Sequence, residues 1–371
     1  ARKYNGVVKH EWVYDNSGRL AIERDLENSR YYYYTYDMLG RLWDLRTTDN
    51  SQITYEYNKL NQVVGTRYVY KDEKRETGYE YRKGGIPKET TLPNGAAVTQ
   101  ELNGLAQVSR REVKTGANKA WETEYSYYSP SAGYTSNVVN GVKHSAAGLD
   151  LTYEYDQYGN ITKVKENGEE KVRYTYDTLG EVVREDNRYL GLSVRYNYDN
   201  GGNIQSRWEY AYTTGELGSP GNEVAYSYGN AAWPDQLTAY EGETITYDGI
   251  GNPLRYRDGM EFTWQIGRQL KKLTKGDMEA EYRYDPSGYR VQKEVDGELT
   301  QYLWEGGRVA AQKTGAGANI WYYYDSDGTR AAMEYGGQMY YYYYNLQGDV
   351  LGLFDDGGNV VVEYVYDSWG R

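Results

Sequence analysis

Two histidines are the first residues whose side chains could carry catalytic or metal chemistry. His10 and His144 lie far apart in the sequence, and neither begins an H-E-x-x-H motif, which would place two zinc ligands on one helix face. No serine stands in a G-x-S-x-G motif, the sharp turn that exposes the nucleophile of many hydrolases. The sequence therefore predicts packing or surface histidines, and we assign no catalytic residue.

Two glycine-containing stretches resemble the start of a cofactor site or a metal site. Gly315-Ala316-Gly317-Ala318-Asn319-Ile320 begins like a dinucleotide fingerprint, but Ile320 replaces the third glycine and no helix is predicted to follow. Asp325-Ser326-Asp327-Gly328 begins like a calcium loop but lacks the later ligands. We therefore predict no cofactor and no metal, and the ligand-binding residues stay unknown. The carboxylates are too scattered for any pair to indicate glycoside chemistry.

A repeated tyrosine and aspartate motif organises the chain. In residues 153–182, Tyr153 and Tyr155 alternate along a strand and share one face. Asp156 and Gly159 follow, and these residue types favour the first and fourth positions of a type I turn. Asn167-Gly168 would then turn the chain back. The motif predicts a β-hairpin of about 20 residues.

The full motif Y-x-Y-D-x-x-G occurs in seven copies, which we interpret as structural positions. The spacing near the C-terminus is close to 20 residues, and no sustained helical periodicity interrupts it. The copies are Tyr34, Tyr36, Asp37 and Gly40; Tyr153, Tyr155, Asp156 and Gly159; Tyr174, Tyr176, Asp177 and Gly180; Tyr196, Tyr198, Asp199 and Gly202; Tyr282, Tyr284, Asp285 and Gly288; Tyr322, Tyr324, Asp325 and Gly328; and Tyr364, Tyr366, Asp367 and Gly370.

Composition agrees with a sheet built from tyrosine. The chain has 47 Tyr but 2 Phe, and tyrosine is a strand former with a polar tip. A net charge of −12 disfavours a nucleic-acid partner. The absence of cysteine excludes disulfides, and no stretch is apolar enough to span a membrane. The function classes that remain are structural or ligand-binding ones.

The repeats predict an all-β fold, an array of antiparallel hairpins coiled into a β-spiral by strand twist. We expect one repeat domain over residues 1–371, and a piece of a longer protein, because the pattern runs to both ends. The motif fades over residues 84–125, where Leu92 to Gly95 and Leu102 to Gly104 are predicted to keep turns. Seams are predicted near 129–150 and 213–222. Unpaired edge strands would favour end-to-end self-association.

The motif, with Arg or Asn after its glycine, resembles the YD repeat of RHS proteins. The segment from Tyr342 to Arg371 is similar to the run that precedes the end of the RHS core in secreted or wall-associated bacterial members. The resemblance implies part of a hollow shell on a secreted or bacterial cell-surface protein. It also implies two partners: the rest of the shell and a C-terminal toxin or effector. In animal teneurins the related structure serves adhesion, and the family's self-cleavage segment would follow residue 371.

A carbohydrate-binding or adhesion module is the alternative interpretation. Tyrosines 31–34 and 340–344 place rings on both faces of a strand, and exposed rings stack well on sugars. The stretch from Ile320 to Tyr324, with Gly328, is also similar to choline- or glucan-binding repeats of bacterial surface proteins. The aspartate in the turn favours the YD interpretation. Our leading hypothesis is thus a non-enzymatic structural segment, with glycans as a further candidate partner.

Overall fold

A computed structural model describes residues 1–116, 118–129 and 136–371, and for residues 118–120 it describes the backbone alone. Residues 130–135, which belong to the first predicted seam, lie outside the described part. The fold is almost entirely β-structure, and Ser145–Ala147 forms a short 3-10 helix. No described helix has the length and apolarity needed to cross a bilayer. The all-β prediction is confirmed.

The strands form two antiparallel sheets in which neighbours in sequence pair with each other. The first sheet contains β1 Arg2–Tyr4, β2 Val7–Tyr14, β3 Leu20–Asp25, β4 Arg30–Tyr36, β5 Leu42–Thr47, β6 Gln52–Tyr57, β7 Val63–Tyr70, β8 Glu73–Tyr81, β9 Pro87–Thr91, β10 Ala97–Leu102, β11 Val108–Thr115, β12 Asn118–Tyr127, β13 Val139–His144, β14 Leu149–Tyr155, β15 Ile161–Glu166, β16 Glu169–Tyr176, β17 Val182–Asn187, β18 Leu192–Tyr198, β19 Ile204–Ala211, β20 Asn222–Ser227, β21 Ala239–Tyr240 and β22 Glu243–Thr244. The second sheet contains β23 Thr246–Tyr247, β24 Pro253–Arg255, β25 Glu261–Gln265, β26 Gln269–Lys275, β27 Met278–Tyr284, β28 Arg290–Val295, β29 Glu298–Glu305, β30 Arg308–Thr314, β31 Ile320–Tyr324, β32 Arg330–Tyr335, β33 Gln338–Tyr344, β34 Val350–Phe354 and β35 Val360–Glu363.

Two kinds of turn alternate along the repeats. At the motif turn, Tyr155 pairs with Ile161 across a loop of five residues, and a β-bulge follows in the register. At the opposite end of the hairpin, Glu166 pairs with Glu169. The two residues between them, Asn167 and Gly168, have φ of +50° and +82°. Asn and Gly tolerate this conformation, which a tight two-residue hairpin requires.

The described residues group into two compact units. The first unit contains Ala1–Gln100, Glu112–Lys119 and Phe262–Tyr341. In it, strands of the first sheet pack on strands of the second: the Trp321 ring lies 6.1 Å from the Tyr70 ring, edge to face. Arg75 forms an ion pair of 2.6 Å with Glu334. The two rings also bond through their polar tips: the Tyr70 hydroxyl donates to the Gln301 carbonyl at 3.0 Å and the Trp321 indole N–H donates to Glu73 at 3.2 Å.

The second unit contains Glu101–Arg111, Ala120–Glu261 and Tyr342–Arg371. Its core is a cluster of buried residues, Val142, Leu151, Tyr153, Val164 and Val172, from consecutive strands of the first sheet. Residues Leu346 and Leu351 of the second sheet pack against this cluster. As in the first unit, residues that are far apart in the sequence form one core: Tyr153 and Leu346 are 193 positions apart.

One turn in the faded region differs from the prediction. The loop after β10 runs from Asn103 to Gln107, whose backbone groups are joined by a hydrogen bond of 2.9 Å. Ala106, with φ of +60°, takes the position that glycine takes in other copies, whereas Gly104 has an ordinary conformation. The predicted turn over Leu102 to Gly104 was therefore placed too early. The single-domain organisation and the two seams stay predictions.

Candidate functional site

The aspartate of the repeat motif organises the turn that follows it. In the copy at Asp37, Oδ1 accepts hydrogen bonds of 2.9 Å from the N–H groups of Leu39 and Arg41. The N–H of Gly40 donates to the Asp37 carbonyl at 3.0 Å, and Gly40 has φ of +81°. One carboxylate thus satisfies two backbone donors that the turn would otherwise leave exposed.

The residue after the glycine completes the turn through the second carboxylate oxygen. Arg41 Nε donates to Asp37 Oδ2 at 2.7 Å, and in another copy Asn160 Nδ2 donates to Asp156 Oδ2 at 2.9 Å. The Asn160 side chain is the largest cause of a lowered pKa for Asp156. For Asp177, the N–H of Glu181 is the largest cause of a lowered pKa. These aspartates are therefore ionised turn anchors.

The second tyrosine of the motif joins its repeat to the preceding one, and we call this contact the tyrosine clasp. The Tyr36 hydroxyl donates a hydrogen bond of 2.8 Å to the carbonyl of Leu20, the first strand residue after the preceding turn. Phenylalanine could fill the same space but could not make this bond. The same bond, at 2.5–3.0 Å, joins Tyr57 to Leu42, Tyr81 to Val63, Tyr127 to Val108, Tyr155 to Val139, Tyr176 to Ile161, Tyr198 to Val182, Tyr324 to Val309 and Tyr366 to Val350.

Arginine after the glycine strengthens the contact between successive copies. The Arg19 guanidinium lies 4.6 Å from the ring centroid of Tyr36, the clasp tyrosine of the next copy. Arg41 lies 4.4 Å from the ring of Tyr57 in the same way. Such cation–π contacts stabilise the ring face that the hydroxyl bond leaves uncovered. A turn that carries this arginine therefore supports the second tyrosine of the next copy.

The structure places the predicted motif residues in separate turns, one for each copy of the motif. Within a copy, the two tyrosines share a face: the ring centroids of Tyr174 and Tyr176 are 6.5 Å apart, as are those of Tyr364 and Tyr366. The depth of the first tyrosine differs between copies: Tyr153 is almost completely buried, whereas Tyr364 is exposed. Among the described residues, no group of three or more His, Cys, Asp or Glu could hold a metal ion.

The copy at Asp285 departs from this pattern. Its carboxylate accepts from the N–H groups of Ser287 and Tyr289, at 3.0 and 2.8 Å. Tyr289 occupies the position of the usual Arg or Asn, so no such side chain completes the turn. Burial, with Glu23 nearby, raises the pKa of Asp285 to about 6. This turn thus carries a carboxyl group that titrates near neutral pH.

Two asparagines bind motif turns that follow strands of the second sheet, and the sequence analysis missed them. Asn28 is half-buried in the turn between β3 and β4, and Asn187 is buried on β17. Asn28 and Asn187 donate their amide N–H groups to the carbonyls of Tyr284 and Tyr366, at 2.7 and 3.0 Å. Each accepting carbonyl belongs to the second tyrosine of a motif copy, directly before the motif aspartate. No local pattern distinguishes these asparagines from surface ones, so only the fold reveals them.

His144 makes the same kind of contact to Tyr344. Its Nε2 lies 2.9 Å from the Tyr344 carbonyl, and its Nδ1 lies 2.8 Å from the Thr123 hydroxyl. Burial lowers the pKa of His144 to about 4, so the ring is neutral. Because a carbonyl can only accept, Nε2 carries the proton and the hydroxyl donates to Nδ1. His144 is a packing residue whose two nitrogens are both engaged.

Hairpins built on Y-x-Y-D-x-x-G turns and joined by tyrosine clasps define a YD-repeat protein. No family model matches the chain. It is 32% identical over 203 residues, or 53% of its length, to the tRNA nuclease WapA of Bacillus subtilis. It is 25% identical over 239 residues, or 61% of its length, to the probable deoxyribonuclease RhsB of Dickeya dadantii. These regions span 8% and 15% of the two relatives.

Solved structures show the same fold. A crystal structure of TcdB2–TccC3 without its hypervariable C-terminal region matches 97% of this chain, with a TM-score of 0.57 and 14% identity. The match covers 24% of that chain. The chain is therefore similar in sequence to Rhs and WapA proteins and shares the fold of this structure, in agreement with the resemblance of its motif to the RHS repeat.

Proposed function

We propose that the chain is a non-enzymatic wall segment of an RHS-type shell that encloses or presents a C-terminal toxin or effector. The observation that carries the proposal is the tyrosine clasp, which recurs from Tyr36 to Tyr366. A contact that joins each repeat to the one before it suits a continuous wall, because stability then builds up from neighbour to neighbour. The proposed location is outside the producing cell, secreted or on a bacterial surface.

The motif aspartates, the clasp tyrosines and His144 are engaged in hydrogen bonds within the structure itself. Motif aspartates such as Asp37 accept backbone hydrogen bonds in their turns, and clasp hydroxyls bind carbonyls. His144 is neutral and bonded through both ring nitrogens. A general acid–base catalyst must reach its substrate with a free nitrogen or oxygen. These groups therefore support a structural role.

The relatives support the same conclusion from a different direction. WapA is named a tRNA nuclease and RhsB a probable deoxyribonuclease, yet this chain is similar to a region of both. A segment shared by proteins that act on different nucleic acids is expected to serve what they have in common. The TcdB2–TccC3 structure that shares the fold lacks its hypervariable C-terminal region. The proposal therefore assigns any toxic activity to a segment other than this one.

Protease protection tests enclosure in the full-length protein that carries this chain. One copy of a specific protease site is placed in the C-terminal effector segment, and a matched copy in an N-terminal tag. If the shell encloses the effector, the tag site is cut rapidly and the effector site resists until the repeats are denatured. Equal cleavage of both sites, with circular dichroism showing an intact β-fold, contradicts enclosure.

A separate assay tests the non-enzymatic role. The 371-residue chain is incubated with tRNA, double-stranded DNA and single-stranded DNA, with divalent cations present. The expected result is no cleavage and no base conversion above a heat-denatured sample. Turnover that survives purification and is lost on denaturation would overturn the structural assignment.

A further inference from the structure

The second unit contains a cavity that the wall role does not explain. Its volume is about 980 Å³, and its lining comes from β14 to β17 on one side and from residues 343–370 on the other. This volume lies at the upper end of the range of small-molecule sites. Both sides belong to the same unit. The chemistry of its lining determines what kind of solute the cavity would recognise.

Aromatic rings form much of the lining. Tyr174 and Tyr176 lie on the first-sheet side, while Tyr364, Tyr366 and Trp369 lie on the other. The Tyr176 and Tyr366 hydroxyls are engaged in clasps, but the Tyr174 hydroxyl makes no hydrogen bond to any described residue. Aromatic faces carry negative electrostatic potential and attract cations, particularly when partly shielded from water.

The charged groups of the lining are all acidic. Glu166, Asp349, Glu363 and Asp367 line the cavity, and its described lining contains no Lys, Arg or His. Asp367 is compensated by Arg371 Nε at 3.1 Å, which lies outside the lining. The Glu363 carboxylate makes no ion pair or hydrogen bond with any described side chain. Asp349 Oδ2 accepts a hydrogen bond of 2.8 Å from Asn345 Nδ2, and Glu363 lies on the exposed side of the lining. Several negative charges therefore border this cavity without a cation in its lining.

One ammonium group of the second unit already lies beside the lining of this cavity. Lys171 Nζ lies 5.9 Å from the ring centroid of Tyr189, a lining residue, and pairs with Glu169 at 2.8 Å. The Tyr189 hydroxyl donates to Glu166, another lining residue. An ammonium held between a ring and a carboxylate is thus the local chemistry of this region, at a point outside the lining itself.

We infer that this cavity binds an organic cation, an alkylammonium group held by tyrosine faces and by the carboxylates of Asp349 and Glu363. An anion would meet only like charges, and a neutral solute would leave the carboxylates uncompensated. A cation gains both the ring potential and the Coulomb attraction. This site is independent of whether the repeats enclose an effector.

Calorimetric titration of the 371-residue chain at low ionic strength tests the site. The probes are choline and tetramethylammonium, with 3,3-dimethylbutanol as the neutral isostere of choline and acetate as the anion. A lysine analogue with blocked termini tests whether a peptide ammonium is accepted as well as a free solute. We expect saturable one-to-one binding of the cations, weakened by added salt, and no binding of the isostere or of acetate.

Two variants locate the binding. Glu363→Gln removes the carboxylate that has no internal partner, and we expect an affinity loss of about threefold. Tyr174→Leu removes one ring, with an expected loss of about fivefold. Glu223→Gln is the matched control, because Glu223 is exposed on β20 of the same unit and does not line the cavity. Circular dichroism and melting curves confirm that each variant folds.

Two results of the titrations would overturn the inference. One is equal binding of choline and its neutral isostere, and the other is no binding of any cation up to its solubility limit. If Glu363→Gln and Glu223→Gln weaken binding equally, the cation binds elsewhere, and the inference is again overturned. Neutral saccharides are titrated in parallel: binding of a saccharide without binding of cations would favour the carbohydrate alternative and refute an ammonium site. Binding of the lysine analogue alone would identify a peptide source for the cation.

Discussion

The Glu185 carboxylate accepts a hydrogen bond of 3.0 Å from the backbone N–H of Ser368, 183 residues further along the chain. Glu185 is completely buried, and its other oxygen accepts from the Asn187 amide at 2.9 Å. Asn187 in turn donates to the Tyr366 carbonyl. These three hydrogen bonds hold the last motif turn onto β17 of the same unit. Each polar group in the network would be costly to bury without its partners.

We predict that Glu185→Ala destabilises the chain by about 2–3 kcal/mol, because the Ser368 N–H and the Asn187 amide then lose their buried acceptor. Urea unfolding followed by tryptophan fluorescence measures the change in the free energy of unfolding. Glu223→Ala, on an exposed position of β20, is the control and should change it by less than about 0.5 kcal/mol. Equal effects of the two variants would show that the buried network contributes nothing specific.

This network marks the limit of what the sequence could predict. The hairpins and their turns were predictable, because a strand period of two and the Asp-x-x-Gly spacing are local properties. Which copy lies against which is not local: Asn187 and Tyr366 are 179 residues apart. Every repeat presents a similar tyrosine face, so the sequence contains many equivalent pairings. The choice among them depends on buried polar residues that resemble ordinary surface ones.

The tyrosine clasp should be measurable by removing one oxygen atom. Tyr176→Phe keeps the ring but deletes the hydroxyl that binds the Ile161 carbonyl at 2.7 Å. We expect a loss of about 1 kcal/mol in the free energy of unfolding. Tyr158→Phe is the matched control, since Tyr158 is 81% exposed and its hydroxyl makes no hydrogen bond to a described residue. A clasp variant as stable as the control would mean that water replaces the hydroxyl without cost.

The motif glycine is predicted to act through its backbone conformation alone. Gly180 has φ of +85°, and an added Cβ would meet no atom within 4 Å. Gly180→Ala should therefore cost about 1–2 kcal/mol, the strain of a left-handed conformation with a side chain. Gly104 is equally open but has no positive φ, so Gly104→Ala should be neutral or slightly stabilising. Thermal melting of both variants decides the matter, and similar melting temperatures would contradict the assignment.

The difference between these two glycines also shows why the faded region was hard to interpret. The sequence suggested a turn ending at Gly104, because glycine is the usual signal for a positive φ. The structure uses Ala106 instead, with φ of +60°. The bond between Asn103 and Gln107 preserves the five-residue loop of the complete copies. The spacing of the repeat therefore determines the turn, even where it forces an unfavourable residue into the left-handed region.

Asp285 should make the folded state less stable as the pH rises, which is the opposite of the effect of the motif aspartates with a lowered pKa. Its folded pKa of about 6 exceeds the value of 3.8 expected when the chain is unfolded. Between these two values the folded state binds more protons than the unfolded state, so this group's contribution is greatest below about 3.8 and declines as the pH rises through 6. Aspartates with lowered pKa, such as Asp177, contribute in the opposite sense and lose stability on acidification.

Asp285→Asn isolates this contribution. Asparagine can keep the turn, because Asn58 occupies the same position in another copy and accepts from Leu60 and Gln62 at 2.9 and 3.1 Å. At pH 7.5 the variant should be more stable than the parent chain by about 1 kcal/mol, a value reduced for partial exposure. Near pH 4 the Asp285 carboxyl is protonated in the folded state and only partly ionised in the unfolded state, so the difference should shrink to a small fraction of its value at pH 7.5. Urea unfolding of both proteins across this pH range measures the difference in the free energy of unfolding.

Asp177→Asn is the opposite control, because it removes a turn anchor whose pKa is lowered. The destabilisation caused by Asp177→Asn should grow as the pH rises. A constant difference between Asp285→Asn and the parent would show that Asp285 does not titrate in the folded protein as its burial predicts.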